Sequence, residues 1–222
     1  MAFARIVAAV WLAAASAAGA ETLEYDLRLG AVKVGLLQLQ VTRGEGYQAR
    51  LAIRSTGLAG VVRAVRFEAT AEGAPGPAPA RYRETADTGR RESEVVLEWD
   101  SGLPMVRSYR ASPPDVTPPA APAAGALDPA SAFLAAMIRP AGAPCALDFA
   151  VFDGQRLSQV TLAGGQGDCR GSFRRIAGYR PDEIEERREF PLRLTYAETP
   201  DGRVLDEAEV QTLYGKVRLK RR

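Results

Sequence analysis

The chain has 222 residues, of which 46% are hydrophobic and 25% are charged, and its formal net charge is +2. This balance argues against nucleic acid as a partner, because no global field would attract a polyanion. The sequence contains no histidine, which excludes Ser-His-Asp and Cys-His catalysis and most zinc enzymes.

The first twenty residues have the pattern of a secretory signal peptide. Arg5 precedes an apolar run over residues 6–18, and Ala18-Gly19-Ala20 is a small-residue cleavage site. The run is too short and too rich in alanine to be read as a membrane span. We therefore expect cleavage after Ala20, export to the periplasm, and one mature domain over residues 21–222 without a transmembrane segment.

Most of the mature chain alternates apolar and polar residues with the period of two that is typical of β-strands. The alternation changes parity near Gly35–Leu37, which predicts a β-bulge there. Residues 57–65 fit a short helix or a strand, and residues 181–189 fit a loop or a helical turn. About a dozen short strands predict a mainly β fold, a strongly curved antiparallel sheet or incomplete β-barrel with one docked helix.

A proline-rich segment, residues 111–126, leads to that helix. We expect the segment to be a flexible connection within the domain. Asp128 can accept backbone N–H groups as an N-cap, and Pro129 fits the first helical position. Apolar residues then follow at helical spacing until Pro140, which predicts a helix over about 128–139 whose apolar stripe docks on the sheet.

Asp153-Gly154 lies between two apolar runs and predicts a β-hairpin. Asp128 and Asp153 could also be read as a catalytic carboxylate pair. Structural roles explain both residues more simply, because one caps a helix and the other makes a turn. We therefore predict no catalytic residue and interpret the protein as a non-enzyme.

Cys145 and Cys169 are the two cysteines of the chain. In an exported protein we expect them to form one disulfide, which would tie the start of the hairpin to the segment after it. Their spacing is not that of a C-x-x-C redox motif, and two thiols without histidine make a poor zinc site. We predict neither a metal nor another cofactor.

Residues 216–222 alternate basic and apolar side chains and predict a last strand with a charged outer face. We interpret this strand as a solvated sheet edge that its charges protect from pairing. A patch that binds lipid headgroups or anionic glycans is the functional alternative.

Three stretches stand out as a set: LDPASAFL at 127–134, VFDGQR at 151–156 and GDCRGSFRRIAGYRPDE at 167–183. Together they resemble a family of exported Gram-negative proteins that is catalogued as a domain of unknown function. Gln155-Arg156 is less basic than the run often found at that place in the family. The resemblance implies a curved antiparallel sheet like that of YmcC-type capsule lipoproteins, and it implies no established activity.

A curled sheet with one helix across it either fills its interior or leaves a groove for a ligand, and the sequence leaves both open. The first hypothesis is a periplasmic binding protein for a lipid or other amphipathic ligand, with a groove lined by Leu27, Leu51, Leu97, Phe133 and Met137. The second is an envelope-assembly or structural protein that binds a partner protein or glycan. The third, a hydrolase that uses carboxylates alone, requires two neighbouring acids in a cleft. We expect a monomer.

Overall fold

The computed structural model describes residues 20–57, 60, 64–76, 78–165 and 167–222. The predicted signal peptide therefore lies outside the described residues except for Ala20, and so does most of the ambiguous segment at 57–65. Fourteen described strands form one antiparallel sheet that curls into a nearly closed barrel with one open seam. This architecture confirms the predicted fold class.

The strands β1 to β14 are, in chain order, Ala20–Leu29, Val32–Arg43, Tyr47–Ser55, Arg66–Ala74, Ala78–Asp87, Glu92–Asp100, Leu103–Ser112, Ile138–Arg139, Cys145–Phe152, Leu157–Gly164, Asp168–Ala177, Glu189–Thr199, Gly202–Thr212 and Gly215–Arg221. Two helices are described, α1 at Pro129–Met137 between β7 and β8, and α2 at Pro181–Glu186 between β11 and β12. Helix α2 is one of the two forms that the sequence allowed for residues 181–189.

Two meanders make up the sheet, β1–β7 and β9–β14, and they join where the first strand pairs with the last. Tyr25 is opposite Arg221 and Leu29 is opposite Val217 in this pairing. Because β14 also pairs with β13, the prediction that it is an edge strand is wrong. Two of its cations are ion-paired with acids of β13, Lys216 with Glu209 at 3.2 Å and Lys220 with Asp206 at 2.7 Å.

A β-bulge in β2 lies close to the predicted place. Gly35 pairs with Leu27 and Lys33 pairs with Arg28, so Val34 is the extra residue. A Cβ atom on Gly35 would lie 2.6 Å from the carbonyl oxygen of Arg54. Glycine at this position therefore lets β3 approach the bulged strand.

Helix α1 is shorter than predicted, because it ends at Met137 and not near residue 139. Ile138 has extended backbone angles, and Ile138–Arg139 pairs with Val204 and Arg203 of β13. Ile138–Arg139 thus pair with β13 and do not form the last helical turn that the spacing of apolar residues predicted. The Tyr196 hydroxyl donates a hydrogen bond of 2.7 Å to the carbonyl oxygen of Ala136 and satisfies one of the free groups at the helix end.

The start of α1 is held inside the barrel by a buried polar network. One oxygen of the Asp128 carboxylate accepts from the Ser131 N–H at 2.8 Å, and the other accepts from the Ser131 hydroxyl at 2.5 Å. The same hydroxyl is 2.6 Å from the Tyr47 hydroxyl on β3. Burial raises the pKa of Asp128 to about 6, since the interior disfavours its charged form.

A second buried acid lies on the inner face of β5. The Tyr82 hydroxyl donates to a carboxylate oxygen of Glu84 at 2.5 Å. Burial raises the pKa of Glu84 to about 7, and the charges of Asp153 and Asp128 act in the same direction. The part of the interior next to the start of α1 is filled by side chains, and these include the acids Asp128 and Glu84. The protonated form of each acid costs less free energy to bury than the charged form.

The predicted disulfide between Cys145 and Cys169 is confirmed. Both cysteines are in register with Gly164 at the end of β10, one from each neighbouring strand. The bridge therefore ties β9 directly to β11 across the end of β10.

The chain between β7 and α1 lies across the seam. Because β7 continues to Ser112, this seam segment is residues 113–127 and begins later than the predicted loop. Leu127 exchanges backbone hydrogen bonds with the edge strand β9, and Gly125 donates to the carbonyl of Gly102 after β6. Asp115 accepts from the Tyr109 hydroxyl and is ion-paired with Arg91. The seam segment is thus hydrogen-bonded to both edges of the sheet.

The substitution Glu84→Gln is expected to flatten the pH dependence of stability between about pH 5 and pH 8. The folded-state pKa of Glu84, about 7, lies above its unfolded value, so the wild type loses roughly 2 kcal/mol at this residue as the pH rises through that window. Glutamine still accepts the Tyr82 hydrogen bond and does not ionise. Urea unfolding at both pH values measures the difference.

Glu98→Gln is the matched control. Glu98 lies on the outer face of the next strand, where a hydrogen bond from Arg107 holds its pKa below the usual range, so it does not titrate in that window. Its pH profile should parallel that of the wild type. A parallel profile for Glu84→Gln would contradict the effect assigned to the buried carboxyl.

The double substitution Cys145→Ala/Cys169→Ala is expected to lower the free energy of unfolding by about 3 kcal/mol, because the bridge spans a sequence separation of 24 and constrains the unfolded chain. Chemical unfolding measures this change. A thiol reductant should bring the wild type to the same stability and leave the variant unaffected. Equal stability of the oxidised wild type and the variant would show that the bridge does not stabilise the fold.

Candidate functional site

The interior of the barrel has a filled part and an open part. On the side of β3, β5 and β6 the core contains Leu51, Tyr82 and Leu97, none of which is exposed. On the other side of α1, a cavity of about 490 Å³ lies between the helix and the concave face of the C-terminal strands. The cavity is the candidate functional site.

Apolar side chains from both meanders and from α1 line most of this cavity. Strands β1 to β3 contribute Leu27, Leu37 and Ile53, and α1 contributes Phe133 and Ala136. The largest share comes from β9 to β14, through alternate inward-facing residues: Phe149, Val151, Val160, Leu162, Phe173, Leu192, Leu194, Leu205, Ala208, Val210, Val217 and Leu219. The period of two along each strand places these residues on one face.

The five residues predicted to line a groove are divided between the two parts of the interior. Leu27, Phe133 and Met137 line the cavity. Leu51 and Leu97 are instead fully buried in the filled part. A Cβ atom on Gly154 would lie 3.5 Å from Leu97, so the tight turn that follows β9 packs against this leucine.

Polar residues of the cavity wall are concentrated at one end. They are Asp153, Arg156, Ser158 and Tyr179, and Glu209 is the one further polar residue of the lining. The hydroxyls of Ser158 and Tyr179 are 2.5 Å apart, and the Arg156 guanidinium lies over the Tyr179 ring at 5.3 Å. This group, Asp153, Arg156, Ser158 and Tyr179, is called the polar end below.

Asp153 holds the turn that carries Arg156. One oxygen of its carboxylate accepts the backbone N–H groups of Gln155, at 2.9 Å, and of Arg156, at 2.6 Å. Burial raises the pKa of Asp153, while these hydrogen bonds oppose the shift. Burial also raises the pKa of Tyr179, so its hydroxyl stays protonated and is available as a hydrogen-bond donor at neutral pH.

A stack of cations and aromatic rings lies next to the polar end, on the same face of the sheet as Phe173. The Arg175 guanidinium lies 5.2 Å from the centroid of Tyr179 and 4.9 Å from that of Phe190, and Arg187 lies 5.6 Å from Phe190. Arg175 also donates to the carbonyl oxygens of Glu183, at 2.5 Å, and Arg187, at 3.0 Å. These contacts fix α2 and the Tyr179 ring in place beside the cavity.

The sequence did not single out the C-terminal lining or, apart from Asp153, the polar end. Alternation along β10, β12 and β14 was readable, but it could not show which strands share a cavity with α1. Arg156 and Tyr179 lie within the stretches that carry the family resemblance, yet nothing in their local pattern places one over the other. Their contact depends on the pairing of β10 with β11.

The arrangement can bind an elongated apolar group at one end and a polar group at the other. In the described part of the chain, no three His, Cys, Asp or Glu side chains are grouped to hold a metal ion. None of the described helices has the length and hydrophobicity needed to cross a membrane.

Part of the candidate site lies in a region shared with a protein family, whereas Tyr179 and the lining from β11 to β14 lie beyond that region. No curated protein and no solved structure is significantly similar to the chain. A family model described as "protein of unknown function (DUF3108)" matches residues 24–166, more than half of the chain, from β1 to the turn after β10. The match includes the seam segment, α1 and the turn of Asp153 and Arg156, and the chain belongs to the DUF3108 family.

Proposed function

We propose that the protein is an exported, non-catalytic binding protein that holds a lipid or another amphipathic ligand in the cavity beside α1. The observation that supports this function is the composition of the wall, which is apolar along its length and polar at one end. The volume of about 490 Å³ lies within the range of known small-molecule sites.

A hydrocarbon chain is the ligand part that gains most from such a wall. Transfer of methylene groups from water gives about 0.8 kcal/mol each, so about ten of them gain roughly 8 kcal/mol before the costs of association are subtracted. The wall needs no hydrogen bond from this part of the ligand, because its side chains there are apolar.

The polar end argues for an amphipathic ligand and not a plain hydrocarbon. The Arg156 side chain lines this end of the cavity. A headgroup oxygen next to Arg156 would interact with the guanidinium charge. The hydroxyls of Ser158 and Tyr179 are close enough to take part in the same network.

Export is supported by two observations of different kinds. The disulfide is of the type that persists in oxidising compartments, and the first twenty residues have the pattern of a signal peptide. Both fit a periplasmic protein, where a carrier for an amphipathic molecule would shield its apolar part from water.

Filling the cavity is expected to weaken binding of a dansylated fatty acid roughly tenfold, since a tryptophan ring occupies space that the acyl chain needs. Ala136→Trp fills it from α1, and Val210→Trp fills it from β13. Ala146→Trp, on the exposed face of β9, is the matched control and should bind like the wild type. Fluorescence titration gives the affinities, and thermal unfolding confirms that each variant is folded.

Equal affinity in the wild type and in both filled variants would contradict binding in this cavity. Native mass spectrometry of the protein, purified from the periplasm without detergent, provides an independent measurement, and added mass of a lipid identifies the natural ligand class. A bare mass together with a partner protein or glycan captured by crosslinking in cells would favour the envelope-assembly hypothesis instead.

A further inference from the structure

Two neighbouring turns at one end of the barrel expose large apolar side chains. They are the β1–β2 turn, with Leu29 and Val32, and the β13–β14 turn, with Leu213 and Tyr214. Val32 is 65% exposed and Tyr214 is 85% exposed. These four residues are called the apolar tip.

The two turns are adjacent because β1 pairs with β14. The Gly30 N–H donates to the carbonyl oxygen of Lys216 at 2.9 Å, and a Cβ atom on Gly215 would lie 3.9 Å from the Leu29 side chain. The apolar tip is therefore a continuous feature and not a scatter of single exposed residues, which alone would need no explanation.

A row of three cations lies across the strands directly beside the apolar tip. Arg28 of β1 is opposite Lys33 of β2 on one side and opposite Arg218 of β14 on the other. Like charges directly opposite each other on a sheet destabilise it. All three nevertheless lie on the same outer face of the sheet.

Two of these cations make no ion pair among the described residues, although Glu209 of β13, which is paired with Lys216, lies opposite Arg218. The Arg28 guanidinium donates to the carbonyl oxygen of Ala31 at 2.8 Å, and the Arg218 guanidinium donates to that of Gly30 at 3.0 Å. Lys33 is paired with Asp26 at 2.7 Å. Residues 27–34 and 210–219 contain no acidic residue at all.

We propose that the apolar tip docks the protein on the surface of an anionic lipid bilayer. Tyr214, Val32, Leu29 and Leu213 would enter the interfacial layer, where exposed aromatic and aliphatic side chains are stable. Arg28, Lys33 and Arg218 would lie at the level of the phosphate groups, where each cation adds attraction to anionic lipids.

The shape of the tip favours a bilayer over a protein partner. Four side chains on two turns form a protrusion, whereas a stable protein interface buries about 800 Å² on each side and needs a matching surface. A bilayer interface requires no matching shape, and its phosphate layer complements the cation row.

The tip lies at the end of the sheet that the cavity reaches. Val210 and Val217 form the third residue pair from the β13–β14 turn, and both line the cavity together with Leu27. Docking at the tip would bring this end of the cavity close to the membrane surface, where an amphipathic ligand could enter or leave.

The test uses vesicles of phosphatidylglycerol mixed with phosphatidylcholine, compared with vesicles of phosphatidylcholine alone. The mature protein is expected to sediment with the anionic vesicles and much less with the neutral ones. The double substitution Val32→Ser/Tyr214→Ser should weaken binding to the anionic vesicles roughly tenfold, since it removes two apolar side chains from the interface. Met105→Ser/Val106→Ser, at partly exposed positions on the edge strand β7, is the matched control.

Unchanged vesicle binding by the tip variant, or no binding of the wild type to anionic vesicles, would overturn the proposal. Equal loss in the tip variant and the control variant would also overturn it, because the effect would then not be specific to the tip. Both tip positions lie outside the cavity wall, so the tip variant should bind the dansylated fatty acid like the wild type. Failure of docking and failure of ligand binding are therefore distinguishable.

Discussion

The pairing of the first strand with the last is the constraint on which the rest of the structure depends. Without it, β1–β7 and β9–β14 would be two separate meanders, each with two edges and half of a concave face. The buried Tyr25 hydroxyl reinforces the pairing, because it donates to the carbonyl oxygen of Leu205 at 2.8 Å. Leu205 precedes Asp206, the extra residue of a bulge in β13, where the ladder is interrupted. The same pairing brings together the two turns of the apolar tip.

On the opposite side the barrel is not closed by strand pairing, because β7 and β9 do not pair. The seam segment lies between them, and it contains five prolines: Pro113, Pro114, Pro118, Pro119 and Pro122. Proline cannot donate to a strand ladder, so such a segment covers two sheet edges without extending the sheet. Its hydrogen bonds come from a few specific residues instead, such as the Trp99 indole to the carbonyl of Ala126 at 2.9 Å and Gln155 to that of Thr117 at 2.9 Å.

Local patterns in the sequence were sufficient for the strands, the start of α1 and the disulfide, because alternation, an Asp-Pro pair and two cysteines act over short distances. The pairing of strands that are distant in the sequence could not be predicted from such local patterns. The charges of β14 suggested an edge strand, since nothing in the sequence near residue 218 indicates that it pairs with residue 28. The local sequence of Ile138–Arg139 fits a helix, but in the structure these residues pair with β13. The buried acid Glu84 was not predicted, because its burial and its raised pKa depend on what packs over β5.

Helix α1 divides the interior, and its two faces explain how the open part persists. Asp128 and Ser131 anchor one face to Tyr47 by buried hydrogen bonds, while Phe133 and Ala136 face the cavity. Apolar surface left in contact with water costs about 25 cal/mol per Å², so an unanchored helix would gain by moving toward the C-terminal strands and filling the space. Moving would break a network whose buried polar groups have no alternative partners, and each such group would cost about 1–3 kcal/mol. The buried polar network therefore holds α1 away from the C-terminal strands and leaves an apolar wall exposed in the cavity. A ligand that covers this wall would gain the free energy of burying it, which movement of the helix cannot supply.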